Sequence, residues 1–194
     1  MKQQLHYKVT IRLAEPKDKY DIVKIQFYAL KVLAAKDYNS EQLNALLRSK
    51  STPRQSWETI FVAEIEQKVV GFASLLYPFN TIGAVFVDPL FVRRNIGTQL
   101  IERLEEEAIA YKVPVLWVYS SLTGYSFYQA NGYQTIKKTT LPLYSTYIPC
   151  VRMKKRLLPV SKSEIFYEIS QLLAVTILTA GAISFFSIMI NILF

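Results

Sequence analysis

The sequence predicts a mixed α/β domain over residues 1–156, a basic and polar linker over 157–171, and one membrane-spanning helix over 172–194. Three observations predict this organisation. A strand–loop–helix–strand unit occupies residues 85–119, several short apolar strands precede it, and the last 23 residues carry no charge. At 194 residues and 51% apolar content, the chain can fill the core of one domain.

Short runs rich in β-branched and aromatic residues predict the strands of the domain. The spacing of those before the central loop, with a turn at residues 66–67, favours an antiparallel meander. After that loop, residues 142–147 are expected to connect a final hairpin. The predicted strands are residues 8–13, 59–65, 69–76, 82–87, 113–119, 133–141 and 148–154.

Apolar residues at helical spacing predict three helices longer than two turns. Residues 16–35 form the first, and residues 41–48 form the second, with Ser40 as a plausible N-cap. The third begins after a basic loop and buries one stripe against the sheet. Its stripe consists of Ile96, Leu100, Ile101, Leu104 and Ala108.

The loop between residues 87 and 101 has the composition of a phosphate site. An apolar strand leads into Arg93 and Arg94, and Gly97 follows as a helix begins. Backbone amides at a helix N-terminus, together with two guanidinium groups, concentrate positive charge at one point. An anionic cofactor is the expected ligand, although a strand–turn–helix with solvated arginines is the structural alternative.

Two motifs in this part of the chain resemble those of the GNAT acyltransferase superfamily. Val87-Asp88-Pro89 and the loop through Gly97 resemble its acetyl-CoA-binding motif. Residues 121–133, with Phe127-Tyr128 four residues before Gly132-Tyr133, resemble its next signature. The resemblance covers about residues 8–156 and implies a mixed, mostly antiparallel sheet of six to seven strands flanked by helices.

The resemblance implies an N-acetyltransferase with acetyl-CoA as co-substrate and direct transfer to an amine. Tyr128 matches the general acid toward the leaving thiolate, although a tyrosine that merely packs a short helix is the alternative. Backbone donors near the end of the fourth strand would hold the pantetheine and thioester, and the basic loop would hold the pyrophosphate. The implied cofactor-binding residues are Phe86, Val87, Arg93, Arg94, Asn95, Ile96, Gly97, Thr98 and Ser121.

Several positions depart from the family pattern. Val92 replaces a preferred Gln or Arg, Asn95 replaces a glycine, and Ser121 replaces a frequent Asn. Gly83 stands where related sequences often carry an acidic base. A water chain, Asp37 or Glu64, or no dedicated base would then serve. These departures keep open a catalytically weak or inactive acyl-CoA-binding module, acting as a membrane-tethered sensor or interaction protein, and a purely structural domain.

The sequence does not specify the acceptor amine, which could belong to a small molecule, a peptide or a protein. Cys150 is the single cysteine, which excludes an intramolecular disulfide and favours inert packing. His6 is the single histidine and has no cysteine or histidine partner at ligand spacing, so no metal site is expected. No nucleic-acid partner is expected either, because no basic helix or aromatic RNA-binding motif appears.

The uncharged segment 172–194 would span about 34 Å as a helix, enough to cross a bilayer core of about 30 Å. A buried core helix or an apolar dimer helix is the alternative. Net charge is +8, of which +3 lies beyond residue 150, just before this segment. Positive flanks predict a cytoplasmic catalytic domain on a single-pass, C-terminal anchor in contact with membrane lipid. The flanking cations are Arg152, Lys154, Lys155, Arg156 and Lys162.

Overall fold

The computed structural model describes residues 8–49 and 57–160, and beyond these residues 162, 165–166 and 169–171, which are helical. The chain divides into two compact units, Met1–Leu158 and Pro159–Phe194. In the described part of the chain, no helix has the length and apolar content needed to cross a bilayer. The predicted anchor at 172–194 and His6 both lie outside the described residues.

A seven-stranded sheet forms the centre of the first unit. Six to seven strands were predicted. The order is β1-β2-β3-β4-β5-β7-β6, and each neighbouring pair is antiparallel except β4 and β5. The predicted meander is confirmed as β2, β3 and β4. The strands are β1 (Thr10–Leu13), β2 (Glu58–Ile65), β3 (Lys68–Leu76), β4 (Thr81–Val87), β5 (Val115–Ser121), β6 (Gln134–Leu143) and β7 (Thr146–Arg156).

Four α-helices flank the sheet: α1 (Lys19–Ala29), α2 (Ser40–Ser49), α3 (Ile96–Ala110) and α4 (Tyr125–Ala130). The single helix predicted over 16–35 is instead a 3₁₀ turn, then α1, then a π-helical turn at Leu30–Ala34.

The N-terminus of α2 corrects the predicted cap. Asn39 Oδ1 accepts from the Gln42 N–H at 2.9 Å, and Gln42 Oε1 accepts from the Asn39 N–H at 3.2 Å. This reciprocal pair is a capping box. Asn39 therefore caps the helix, and Ser40 is its first residue.

The final hairpin is tighter than predicted. Strands β6 and β7 pair from Leu143 and Thr146 onward, which leaves two residues in the turn rather than the expected connection over 142–147. One of them, Tyr144, has a positive φ of 52°. Pro142 belongs to β6, an edge strand where a missing N–H is tolerated. A proline in the sequence therefore did not mark the end of this strand.

Apolar side chains cover the two faces of the sheet with different helices. The larger cluster packs α3 on one face, and the fully buried Leu100 and Leu104 lie at its centre. Gly71 on β3 permits this close approach, since a Cβ there would lie 3.0 Å from Phe86 O and 3.2 Å from Leu100. On the other face, a smaller cluster packs α1 around the fully buried Phe72.

A charged network joins β1 to the start of the first helical segment. Arg12 donates to both carboxylate oxygens of Asp18, at 2.7 and 2.9 Å, and also to Glu64. Asp18 is only 3% exposed, and the Glu15 N–H donates to it at 2.7 Å. Hydrogen bonding from the Arg12 guanidinium lowers the pKa of Asp18 below its ordinary value.

Candidate active site

The two parallel strands at the centre of the sheet separate soon after they pair. Strands β4 and β5 are in register at only two positions, Thr81 with Trp117 and Ile82 with Val118. Beyond these positions the strands diverge, and each continues for several residues without the other. A gap therefore opens between the end of β4, at Val87, and the end of β5, at Ser121.

Backbone groups on β4 point alternately toward β3 and toward this gap. The Asp88 N–H donates to Val70 O on the β3 side at 2.8 Å. Counting back by two, Phe86 also presents its polar backbone groups to β3, where it is in register with Phe72. Val85 and Val87 therefore present theirs to the gap. Of the two donors expected from the sequence, Phe86 thus faces β3 and Val87 faces the gap, as does Val85.

The loop after β4 presents the N-terminus of α3 without a side-chain cap. Asn95 occupies the N-cap position with a left-handed backbone, φ 61°, and its side chain makes no capping hydrogen bond. Arg93 also has a positive φ of 65°. Asparagine tolerates this conformation better than other non-glycine residues, which explains how it can replace a glycine here. The first amides of α3, from Ile96 to Thr98, are left for an anion.

Both arginines of this loop are exposed, and one is held by an aromatic ring. The guanidinium carbon of Arg94 lies 5.1 Å from the centre of the Phe91 ring, and Lys68 Nζ lies 5.3 Å from the same ring. Val92, at the position where the family prefers Gln or Arg, is half-buried. Positive charge thus surrounds the uncapped end of α3.

Gly97 lets helix α4 pack against the start of α3. A Cβ at this position would lie 3.0 Å from Phe127 Cε2 and 3.1 Å from its Cζ. A side chain here would require the Phe127 ring to shift by a few tenths of an ångström, so glycine favours this close contact. This contact brings the second motif, at Phe127, against the first motif, at Gly97. The sequence alone showed only that one follows the other along the chain.

Tyr128 is the buried residue of α4 and is 7% exposed. Its ring makes edge contacts with Phe127 and Tyr133, at centroid distances of 5.3 and 5.5 Å. Burial raises the pKa of the Tyr128 phenol well above its ordinary value, so the hydroxyl stays protonated near neutrality. The group can donate a hydrogen bond to an anion, but it cannot act as a base.

A hydrogen-bonded clamp that the sequence analysis missed joins the loop before α2 to the residues that follow β5. The Tyr38 hydroxyl accepts from the Leu122 N–H at 2.9 Å and donates to Pro149 O at 3.2 Å. Next to it, Thr123 Oγ1 donates to Asp37 Oδ2 at 2.6 Å. Burial raises the pKa of Tyr38. The clamp sets one wall of the gap, and its partners are too distant in sequence for a local pattern to reveal them.

Ser121 ends β5 at the mouth of the gap. Its Oγ accepts from the Gly124 N–H at 3.0 Å and so caps the turn into α4. The residue is exposed, so its side chain is accessible at the mouth of the gap.

A side chain at the position expected for a base would press on Ser74. Gly83 is the extra residue of a β-bulge, because Ser74 is in register with Ala84 and Leu75 with Ile82. A Cβ on Gly83 would lie 2.8 Å from Ser74 Oγ, a buried oxygen that has no hydrogen-bond partner among the residues that the structure describes. A glycine inside a strand is the sequence signal for such a bulge.

The two carboxylates considered as substitutes for a base have different surroundings. Glu64 accepts from Arg12 in the charged network on β1 and β2, two strands away from β4. Asp37 lies in the clamp beside the gap. Of the two, only Asp37 is placed next to the site. Across the part of the chain that the structure describes, no group of three or more His, Cys, Asp or Glu side chains could hold a metal ion.

Comparisons with known proteins identify the arrangement. The model of the acetyltransferase (GNAT) domain family matches residues 31–157. A GCN5-related N-acetyltransferase from Rhodopseudomonas palustris is 28% identical with a TM-score of 0.72, over 76% of this chain and 94% of that one. A search by sequence finds no curated protein that matches the chain.

Two further solved structures share the fold at lower identity. The PaiA N-acetyltransferase from Thermoplasma acidophilum, in complex with coenzyme A, is 18% identical with a TM-score of 0.60, over 77% of this chain and 99% of that one. The putative acetyltransferase YncA from Salmonella typhimurium, with its cofactor acetyl-CoA, is 20% identical with a TM-score of 0.57, over 79% and 96%.

Proposed function

Because the chain belongs to the GNAT acetyltransferase family, we propose that it transfers an acetyl group from acetyl-CoA to an amine. The observation that supports this most is the gap between β4 and β5, which opens beside the uncapped N-terminus of α3. The amides from Ile96 to Thr98, with Arg93 and Arg94, would hold the pyrophosphate. Backbone donors of Val85 and Val87 would hold the pantetheine arm and the thioester oxygen, and Ser121 would contact the same arm.

Direct transfer requires few groups from the protein. Acetyl-CoA supplies an activated carbonyl, the acceptor nitrogen forms the new C–N bond, the C–S bond breaks, and sulfur leaves with the electron pair. The nitrogen loses one proton and sulfur gains one. A protonated, buried Tyr128 is suited to donate to the departing sulfur. Because Gly83 supplies no carboxylate at the position expected for a base, water or Asp37 would receive the proton from nitrogen.

Two variants of the full chain in neutral detergent test this proposal. We expect the double variant Arg93→Glu, Arg94→Glu to weaken acetyl-CoA binding by at least about tenfold, because two charge-assisted contacts become repulsive. We expect Tyr128→Phe to slow turnover while leaving acetyl-CoA affinity nearly unchanged. Calorimetry measures binding, and release of free thiol in the presence of a panel of amines measures transfer.

A non-catalytic acyl-CoA-binding module is the second candidate function. The absence of a carboxylate at Gly83 favours it. Such a module would bind acetyl-CoA in the calorimeter and release no thiol with any amine. If the arginine double variant bound acetyl-CoA with the same affinity as the wild type, both candidates would be contradicted, because both place the pyrophosphate at this loop.

We also propose that the C-terminal segment anchors the domain to a membrane and leaves it on the cytoplasmic side. The support is the uncharged run 172–194 and the basic residues before it. Flotation of the full chain with vesicles in alkaline carbonate tests the anchor, and Ile183→Arg should reduce it strongly. Equal flotation of the variant, or loss of the wild type to the soluble fraction, would contradict it.

A further inference from the structure

The half of the sheet formed by β5, β7 and β6 carries cations and aromatic rings on one face. Tyr119 is in register with Arg152, and Trp117 with Lys154. Lys137 on β6 is in register with Arg152 in turn. Residues directly opposite each other in a sheet share a face, so these five side chains lie together. We call this group the basic face.

The basic face is on the side of the sheet away from α3. Leu116 and Val118, which alternate with its two aromatic residues along β5, belong to the cluster under α3. Tyr119 is 43% exposed, Lys137 is exposed, and Arg152 is half-buried. The π-helical turn at Leu30–Ala34 and helix α2 cover the far end of the same face, around Ile148. The basic face is therefore accessible to a small ligand next to that cover.

Its cations are oriented by an aromatic ring and not by carboxylates. The Arg152 guanidinium carbon lies 4.2 Å from the centre of the Trp117 ring, and Lys154 Nζ lies 5.7 Å from it. Among the described residues, no ion pair joins Arg152, Lys154 or Lys137 to an acidic side chain. A guanidinium stacked on a ring keeps its N–H donors at the edge for a planar anion.

The basic face also adjoins the gap. Pairing between β4 and β5 ends at Val118, so Tyr119 is the first residue of β5 beyond it. Arg152 is the direct neighbour of Tyr119, about 5 Å away between backbones. Helix α3 and its loop occupy the opposite side, where acetyl-CoA is proposed to bind. An acceptor must approach from the side that the donor leaves free, and that side carries the basic face.

We propose that the acceptor is an amine that carries its own anion, a carboxylate or a phosphate, close to the reacting nitrogen. This inference rests on the proposed function and names its substrate class. Arg152 would bind the anion, with Lys154 and Lys137 contributing attraction. A polycationic acceptor would be repelled by the same residues.

Matched pairs of acceptors test this substrate class with the full chain in neutral detergent. Glycine is compared with glycinamide, and phosphoethanolamine with ethanolamine, each rate being corrected for the fraction of neutral amine. Spermidine serves as the polycation. We expect kcat/KM from thiol release to favour an anionic acceptor over its neutral partner by about tenfold, the effect of one charge-assisted hydrogen bond. The two pairs distinguish a carboxylate from a phosphate.

Neighbouring residues on β6 provide a matched control. Lys137 is in register with Arg152, whereas Lys138 is in register with Val151 and lies on the opposite face. We expect Arg152→Gln to raise KM for the anionic acceptor about tenfold with little change in kcat, and Lys137→Gln to act in the same direction. Lys138→Gln removes the same charge and should change neither. The unfolding midpoint of each variant checks that the fold is intact.

Several outcomes would overturn the inference. Equal kcat/KM within both acceptor pairs, a preference for spermidine, or equal effects of Arg152→Gln and Lys138→Gln would each contradict it while leaving acetyl transfer intact. Absence of thiol release with every amine would instead contradict the proposed function. In that case, calorimetric titration of each acceptor into the protein with coenzyme A still compares anionic with neutral partners, and weaker binding by Arg152→Gln still supports the anion site.

Discussion

The two halves of the sheet differ in what covers their second face. In the half formed by β1 to β4, α3 packs on one side and α1 on the other, and Phe72 and Val62 are fully buried. In the half formed by β5, β7 and β6, part of one side stays open, and charged and aromatic residues occupy it. The covered half provides stability, and the open half leaves donors free to bind a ligand.

The largest expected effect comes from truncating a ring in the covered half. Phe72 is 0% exposed and stacks on Phe86 at a centroid distance of 5.5 Å. We expect Phe72→Ala to lower the free energy of unfolding by about 3–5 kcal/mol. Trp117→Ala in the open half should cost only about 1–2 kcal/mol, because the ring is half-buried and its cation contacts are partly solvated.

Circular dichroism during denaturant unfolding measures both losses in the full chain. Equal losses, or a larger loss for Trp117→Ala, would remove the distinction between a stabilising half and a binding half.

The second prediction concerns the buried carboxylate of the covered half. We expect Asp18→Asn to cost about 2 kcal/mol, since Arg12 loses one of its two acidic partners. The pKa of Asp18 is lowered in the folded state, so its contribution is present above about pH 3.8 and is lost as pH falls through the folded value. The difference between wild type and variant should therefore shrink below that pH.

Lys17→Gln is the matched control, because the Lys17–Glu15 pair is exposed, with side chains 70% and 52% accessible. It should not change stability measurably. A constant difference between wild type and Asp18→Asn from pH 7 to pH 2 would show that the loss does not depend on the charge of the carboxylate.

The smallest expected effect lies at the border between the halves, where Ser74 faces Gly83. Gly83→Ala places a Cβ against Ser74 Oγ and should cost about 1–2 kcal/mol. Ser74→Ala removes a buried hydroxyl without a partner and should be neutral or slightly stabilising. The double variant should recover about 1 kcal/mol of the loss, measured as a coupling energy. Additive effects would mean that Leu76, also close to this position, is the obstacle.

Local patterns in the sequence predicted most of the covered half. Short apolar runs predicted β2 and β3, and the stripe on α3 predicted which of its side chains are buried, because both patterns depend only on a residue's near neighbours. The basic loop that leads into α3 was predicted for the same reason. The contacts on the other side of the gap were not predicted. Tyr38 contacts Leu122 and Pro149, and Arg152 stacks on Trp117, and these pairings follow from strand order, which no local pattern contains.

Other mismatches have equally specific causes. Gly83 was interpreted as a position that lacks an acidic residue. The structure shows that a side chain there would also contact Ser74, and the position of Ser74 cannot be inferred from the sequence. Pro142 was interpreted as the boundary of a strand, yet it pairs within the hairpin, opposite Tyr147. Asn39 caps α2 because it and Gln42 exchange two hydrogen bonds between side chain and backbone. From the sequence, only Ser40 was considered as the cap, and this pair was not considered.

The Tyr38 clamp determines when the cleft can form as the chain is synthesised. Leu122 lies 84 residues and Pro149 lies 111 residues after Tyr38, so both partners emerge long after the helices that they hold. Contacts between residues this far apart in sequence form late in folding, because closing such a long loop costs conformational entropy. We therefore expect α2 and the loop at Tyr38 to dock only after β7 joins the sheet. This segment would then be the last part of the domain to assemble, and the first to open when β7 is disturbed.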